Sequence, residues 1–267
     1  MRRLIALASA CCMMVVAGLA PASASDIRVD LELVLAVDVS QSMDADEQRT
    51  QREGYIDAFR HPQVIRAINS GEFGQIAVAY LEWARPGFKA LAVPWTLIGN
   101  RLDAEDFARK LAAAPLSSGP GTSISSALLV ASGMFTGNGF SGARQAIDIS
   151  GDGPNNSGYP VSQTRDLLVN HGLTINGLPI MMKFTNDGND IPNLDAYYQE
   201  CVIGGPGAFI VRVVDTSQFE SAIRRKLIME ISALQPWLIP AALTRPESSI
   251  DCLVGEKAQH RSFFPDE

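Results

Sequence analysis

Runs of apolar residues alternate along the chain with stretches in which apolar residues return every three or four positions. The unbroken apolar run at 33–37 is typical of a strand that is buried on both faces of a sheet. Alternation of strand and helix patterns favours a mainly parallel sheet with helices on both faces. The other predicted strands are 75–83, 88–98, 145–150, 173–181 and 209–214, and predicted helices begin near positions 44, 100, 122, 161, 193 and 217.

The third predicted strand differs from the others. The turn at 85–87 contains Pro and Gly, which predicts a hairpin between 75–83 and 88–98. Pro94 has no backbone N–H to donate, so a strand that contains it is expected at a sheet edge. We therefore predict a doubly wound α/β fold whose six-stranded, mainly parallel sheet has one antiparallel edge strand.

Helix starts carry their own signals. Asp44 with Glu47 forms a capping-box pattern. Ser217 with Glu220 repeats this pattern and predicts the cap of the last helix of the domain. Asp103 is the expected cap of the helix near position 100.

The first residues are typical of a secretory signal peptide. Arg2 and Arg3 precede an apolar stretch at 4–19, and small residues at 22–24 suit a cleavage site. The apolar stretch is shorter than the roughly 20 residues that a spanning helix needs, although a retained anchor is the alternative. We therefore expect residues 1–24 to be removed and the protein to be periplasmic or secreted.

The remaining chain is expected to form one domain at 25–233, with a tail at 234–267 packed on it. Without residues 1–24 it carries 20 basic and 29 acidic residues, a net charge of −9. Such a charge argues against binding nucleic acid or an anionic membrane surface. Cys201 and Cys252 are its two cysteines, and in an exported protein they predict one disulfide, with two buried free thiols as the alternative.

Candidate chemistry lies where apolar runs end. Asp38, Ser40 and Ser42 follow the first strand and offer a carboxylate and two hydroxyls, which are oxygen ligands for a hard divalent cation. Thr122 opens a helix, and Asp152 follows the strand at 145–150. In a doubly wound sheet, ligands bind beyond the carboxyl ends of the strands, so these residues are candidates for one site.

In chain order these residues resemble the metal-ion-dependent adhesion site of the von Willebrand factor A family, written D-x-S-x-S, then Thr, then Asp-Gly. The resemblance covers about residues 30–233. It implies that Ser40 and Ser42 bind a metal ion directly, and that Thr122 does so in the ligand-ready state. Asp38 and Asp152 are implied to act largely through bound water.

The resemblance also implies the cofactor and the partner. Mg²⁺ fits the implied site best, because it prefers octahedral coordination by oxygen, and Mn²⁺ and Ca²⁺ are alternatives. A Glu or Asp of a protein partner is implied to complete the coordination shell, so the protein is expected to be an adhesive module and not an enzyme. The chain departs from the usual Thr-Asp-Gly ending, because Gly151 replaces the threonine.

Other interpretations stay open at this point. The hydroxyls and Asp152 suit helix caps and turns without any metal. A Mg²⁺-dependent phosphatase with Asp38 as nucleophile is a rival, although such enzymes carry a second Asp where this chain has Ser40. A scaffold with a purely structural metal is a third reading. Asp148 lies inside a predicted buried strand, where an unpaired carboxylate is costly, so we expect it to have a partner.

Overall fold

A computed structural model of the chain describes residues 25–182, 191–232 and 250–263. The predicted signal peptide at 1–24 and part of the predicted tail lie outside the described residues. The strands are β1 (Ile27–Val29), β2 (Leu31–Asp38), β3 (Ile76–Trp83), β4 (Lys89–Ile98), β5 (Phe140–Gly142), β6 (Gln145–Gly151) and β7 (Thr174–Pro179). The helices are α1 (Ala45–Arg60), α2 (Pro62–Asn69), α3 (Arg101–Ala113), α4 (Ile124–Gly133), α5 (Val161–Asn170), α6 (Leu194–Tyr197), α7 (Phe219–Ser232) and α8 (Val254–Phe263).

The main sheet has the strand order β4-β3-β2-β6-β7, and β1 pairs with β5 in a separate two-stranded sheet. β2 is parallel to both of its neighbours, whereas β4 is antiparallel to β3 and lies at the edge. The predicted fold class and the antiparallel edge strand are therefore confirmed. Pro94 lies where the β3–β4 register shifts between Val78 and Tyr80, as expected for a residue without an N–H.

The predicted count of six strands is wrong, because the segment at 209–214 forms only isolated bridges, from Ile210 to Gly177 of β7 and from Val213 to Ile180 just after it. Gly177 and Met181 donate their backbone N–H groups to this segment at 3.0 and 2.7 Å. Pro179 lies midway between them on the same edge and has no N–H to donate. The ladder is therefore interrupted at its centre, and the main sheet has five strands.

Helices cover both faces of the sheet, so alternate residues of a central strand enter two cores. Leu33 and Leu35 of β2 pack with apolar residues of α1, α2, α3 and α7. Val34 and Ala36 pack with apolar residues of α4, α5 and α6. All eight residues of β2 are buried, which explains why its centre, residues 33–37, is an unbroken apolar run and not an alternating pattern.

Two of the predicted helix caps are wrong in detail. Asp44 and Glu47 do form a reciprocal capping box at the start of α1. At α3 the cap is Asn100, whose side chain accepts from two backbone amides, while Asp103 accepts from Gly99 N–H. Asp215, and not Ser217, caps the short 3₁₀ turn that leads into α7.

Cys201 and Cys252 form a disulfide, which confirms the predicted bond. The two cysteines are 51 positions apart, so on the chain-entropy model the crosslink is worth about 4 kcal/mol. It joins the short helical turn at Tyr198–Val202 to the segment that precedes α8. Within the described ranges, no helix has the length and apolar character needed to cross a membrane.

Candidate metal site

The loop after β2 has a defined shape that begins at Asp38. The backbone N–H of Ser40 donates to Asp38 Oδ1 at 2.7 Å, which turns the chain sharply out of the strand. Met43 N–H donates to the Ser40 carbonyl at 3.1 Å, and Gln48 of α1 donates to the Met43 carbonyl at 3.3 Å. The cap of α1 and this buried glutamine therefore fix the loop that carries the first three candidate ligands.

The side chains of this loop reach across the crevice to the end of β6. The hydroxyls of Ser40 and Ser42 lie 2.8 Å apart, and Ser42 Oγ donates to Asp152 Oδ1 at 2.8 Å. Ser42 and Asp152 are 110 positions apart in sequence. Pairing of β2 with β6 brings them together, because the two parallel strands end at the same edge of the sheet.

Thr122 reaches the same edge on a separate loop, between α3 and α4. Gly119 N–H of this loop donates to the Val39 carbonyl at 3.1 Å, which pairs it with the loop after β2. Thr122 N–H donates to Asn156 Oδ1 at 3.0 Å, and Asn156 N–H donates back to the Thr122 carbonyl at 2.9 Å. The loop of Thr122 therefore lies between the loop after β2 and the loop after β6.

Two carboxylates face each other at the centre of the site. Burial raises the pKa of Asp38 well above its ordinary range, and the negative charge of Asp152 raises it further. The backbone amides and the hydroxyl around Asp38 offset only part of this. Asp38 Oδ2 is buried and, within the described residues, has no hydrogen-bond partner. A cation would remove both the repulsion and the unsatisfied oxygen.

The donor set suits a hard ion. Within the described parts of the chain, no group of three or more His, Cys, Asp and Glu residues is placed to hold a metal. The candidate residues instead offer oxygen alone, from two carboxylates and three hydroxyls. Oxygen donors of this kind match Mg²⁺, Mn²⁺ or Ca²⁺ better than a softer metal.

Sequence reasoning missed Tyr198, which lies in the turn after α6. Its ring is fully buried, and its hydroxyl lies 2.9 Å from the position that a Cβ at Gly151 would occupy. Asp38 Oδ2 lies 2.8 Å from the same position. Gly151 stands where the family motif has threonine, and the Tyr198 hydroxyl borders the space that the threonine side chain would fill. No pattern in the sequence connects this tyrosine to Asp38, since only packing brings them together.

Gly151→Ala should therefore destabilise the protein by about 1–3 kcal/mol, because the new methyl group overlaps both oxygens. Equilibrium denaturation in EDTA measures the change. Gly133→Ala is the matched control, because a Cβ at the end of α4 meets nothing within 4 Å. Adding Tyr198→Phe to Gly151→Ala should recover part of the loss by removing one of the two overlapping atoms. Equal stability of Gly151→Ala and wild type would contradict the close approach.

Solved structures with similar folds identify the class of this domain. PTMP1 from the mussel byssus matches with a TM-score of 0.55 and 16% identity, over 78% of this chain and 49% of that one. A von Willebrand factor type A structure from Catenulispora acidiphila matches at 0.53 and 12%, over 76% and 43%. BatB from Bacteroides thetaiotaomicron matches at 0.50 and 20%, over 76% and 99%. The chain spans about half the length of the mussel protein.

The fold is therefore that of a von Willebrand factor A-like domain, as the motifs indicated. The family model described as "Protein of unknown function (DUF1194)" matches residues 28–235, and the chain belongs to that family. A comparison with curated protein sequences finds no match.

Proposed function

We propose that this protein is an exported adhesion module that binds a protein partner through a divalent metal ion, with Mg²⁺ as the preferred ion. Asp38, Ser40, Ser42, Thr122 and Asp152 would hold the ion. The observation that carries the proposal is the buried carboxylate of Asp38, which faces Asp152 with one oxygen unsatisfied. A protein seldom maintains such an arrangement unless something compensates it.

The chain's own residues would prepare the site in advance of metal binding. Ser40 and Ser42 hydroxyls already converge on Asp152 in one hydrogen-bonded row. Their oxygen lone pairs become ligands once the hydroxyl hydrogens rotate away, which requires little movement of the backbone. A bound divalent cation would supply Lewis acidity and an open coordination position toward solvent.

An acidic partner fits this site best. Two carboxylates balance a divalent ion without excess charge, so an open position favours a Glu or Asp oxygen from outside. Among proteins of similar fold, one is a pilus adhesin, SpaC from Lactobacillus rhamnosus GG, and PTMP1 is described with a zinc-occupied MIDAS motif. The rim at 153–158, which is rich in Gly, Asn and Pro, would help select the partner.

Export is part of the proposal. A disulfide between Cys201 and Cys252 suits an oxidising compartment such as the periplasm or the cell exterior. Removal of the predicted signal peptide at 1–24 would release the protein there.

The test is capture of a partner from an envelope extract on the immobilised protein, with Mg²⁺ or with EDTA. We expect a partner that is retained with Mg²⁺ and released by EDTA. Thr122→Val should weaken both Mg²⁺ binding and capture of the partner, because the variant keeps the shape of the side chain and loses its hydroxyl. Thr164→Val on α5, which takes no part in the site, is the matched control.

Two other outcomes of these experiments would favour a different function. Equal retention in both buffers would place the interface away from the metal and make the ion structural. Turnover of a phosphate ester that Asp38→Ala abolishes would favour the hydrolase with Asp38 as nucleophile.

A further inference from the structure

The loop after β6 has a buried residue at its centre, Asn155. Its Oδ1 accepts from Ser125 N–H at 3.0 Å, where α4 begins. Its Nδ2 donates to the Tyr159 carbonyl at 3.2 Å and to Glu256 Oε1 at 2.7 Å. The backbone N–H of Asn155 donates to the Tyr197 hydroxyl at 3.1 Å. Every polar atom of this side chain therefore has a partner, and one of those partners comes from α8.

α8 approaches this loop very closely. A Cβ at Gly255 would lie 2.1 Å from the Asn155 carbonyl oxygen, so the helix backbone rests directly on the loop. The Cys201–Cys252 disulfide fixes the segment just before α8 to the domain. Ile250, Cys252 and Val254 also pack against the apolar cluster on the α4–α5 side of the sheet. We call residues 250–263 the C-terminal strap.

The residues that follow Asn155 hold the loop of Thr122. Asn156 exchanges two hydrogen bonds with the Thr122 backbone, at 3.0 and 2.9 Å. Ser157 Oγ donates to the Thr122 carbonyl at 3.3 Å, and Ser123 Oγ donates to the Ser157 carbonyl at 2.8 Å. Asn156 and Ser157 thus hold the backbone around Thr122, and the residue just before them, Asn155, is hydrogen-bonded to the strap.

The loop has little regular structure of its own. Residues 152–160 contain no helix or strand, and Gly158 has a positive φ of 88°. A segment of this kind keeps one conformation only if contacts from the rest of the protein hold it in place. Contacts from α4, from the Tyr197 hydroxyl and from the strap provide this here.

We propose that the C-terminal strap is a working part of the metal site, with Glu256 as a positioning residue that acts through Asn155 and Asn156 on Thr122. This inference rests on the proposed function, because it assumes that Thr122 serves the metal and its partner. Outer contacts that orient ligand-bearing groups are commonly worth 10- to 100-fold in metal affinity. Glu256 does not contact Thr122 directly and acts through Asn155 and Asn156. Its effect on metal affinity is therefore expected near the lower end of that range.

The experiment compares Glu256→Ala, Glu256→Gln and Lys257→Ala in the purified protein. Mg²⁺ alone is titrated by calorimetry, and hydrogen exchange is followed at the Thr122 and Asn156 amides in EDTA. Glu256→Ala should weaken Mg²⁺ binding about tenfold and accelerate exchange at both amides. Glu256→Gln keeps the acceptor oxygen and should behave like wild type. Lys257→Ala breaks an ion pair with Asp251, which lies just before the same helix, and should change neither readout.

Removing the disulfide provides a second, independent variant. Cys201→Ser with Cys252→Ser should accelerate exchange at Thr122 and Asn156 even though neither cysteine contacts Thr122. Wild-type Mg²⁺ affinity and wild-type exchange in Glu256→Ala would overturn the positioning role while the proposed function stands. If the wild-type protein binds no Mg²⁺, the proposed function itself is wrong and the role of the strap falls with it.

Discussion

Asp38→Asn should stabilise the metal-free protein and abolish its response to Mg²⁺. The substitution keeps the oxygen that accepts from Ser40 N–H and removes a buried charge that Asp152 repels. Burial and this repulsion raise the pKa of Asp38, so the ionised side chain opposes folding in EDTA. We expect the free energy of unfolding in EDTA to rise by on the order of 1 kcal/mol, a typical size for the effect of one substitution.

Mg²⁺ should stabilise wild type and leave the stability of Asp38→Asn almost unchanged. At a concentration 100 times the dissociation constant, a bound ligand stabilises the native state by about 2.7 kcal/mol. Wild type should gain this, whereas Asp38→Asn should gain almost nothing because its site lacks one of the two balancing charges. Thermal unfolding with Mg²⁺ and with EDTA measures both effects in one experiment.

Asp57→Asn is the matched control, because it makes the same substitution at an exposed position of α1. It should leave the stability in EDTA and the gain from Mg²⁺ close to those of wild type. If Asp38→Asn were less stable than wild type in EDTA, the carboxylate would be a structural group and the metal site would lose its main support.

Lys226→Met should cost about 3–5 kcal/mol, because it leaves two carboxylates buried without a cation. Lys226 of α7 is fully buried and lies 2.7 Å from Asp148 Oδ1 and 2.5 Å from Glu230 Oε1. Asn176 of β7 donates to the same Glu230 oxygen at 3.1 Å. Methionine has a similar length and keeps the packing, so the loss measures the charge. Urea denaturation at neutral pH gives the change in free energy.

Lys110→Met is the matched control for this prediction. Lys110 also pairs with a carboxylate, Asp106, but on the exposed surface of α3. Pairs of that kind are worth about 0–1 kcal/mol. Similar losses for both variants would show that the buried cluster has no special role in holding α7 against the sheet.

The buried cluster also sets a pH dependence. Burial and the charge of Asp148 raise the pKa of Glu230 to about 7, despite the opposing effect of Lys226. A carboxyl with a raised pKa holds its proton longer in the native state than in the unfolded chain. Its contribution to stability is therefore present at low pH and is lost as pH rises from about 4.5 to about 7. Glu230→Gln should flatten the stability profile over that interval.

Periodicity and turn residues determine most of the fold. The apolar run of β2 predicts a central strand because a parallel strand covered on both faces has no polar side to show. Pro94 predicts an edge because a missing N–H is tolerated only there or at an irregularity. The same rule, applied to Pro179, would have predicted the interruption beside 209–214. Sequence reasoning missed this signal, which lies at the last residue of β7.

Local patterns and a short list of residue types predict the class of the sheet, the disulfide and the residues proposed as metal ligands. The distant groups that support these features are brought to them by the folding of the chain. Tyr198 borders the space left by Gly151, Lys226 neutralises Asp148, and Glu256 reaches Asn155. These three contacts join residues that are 47, 78 and 101 positions apart in sequence, so no periodicity encodes them. The last two arise because buried polar groups are stabilised by whatever side chains the neighbouring elements bring close.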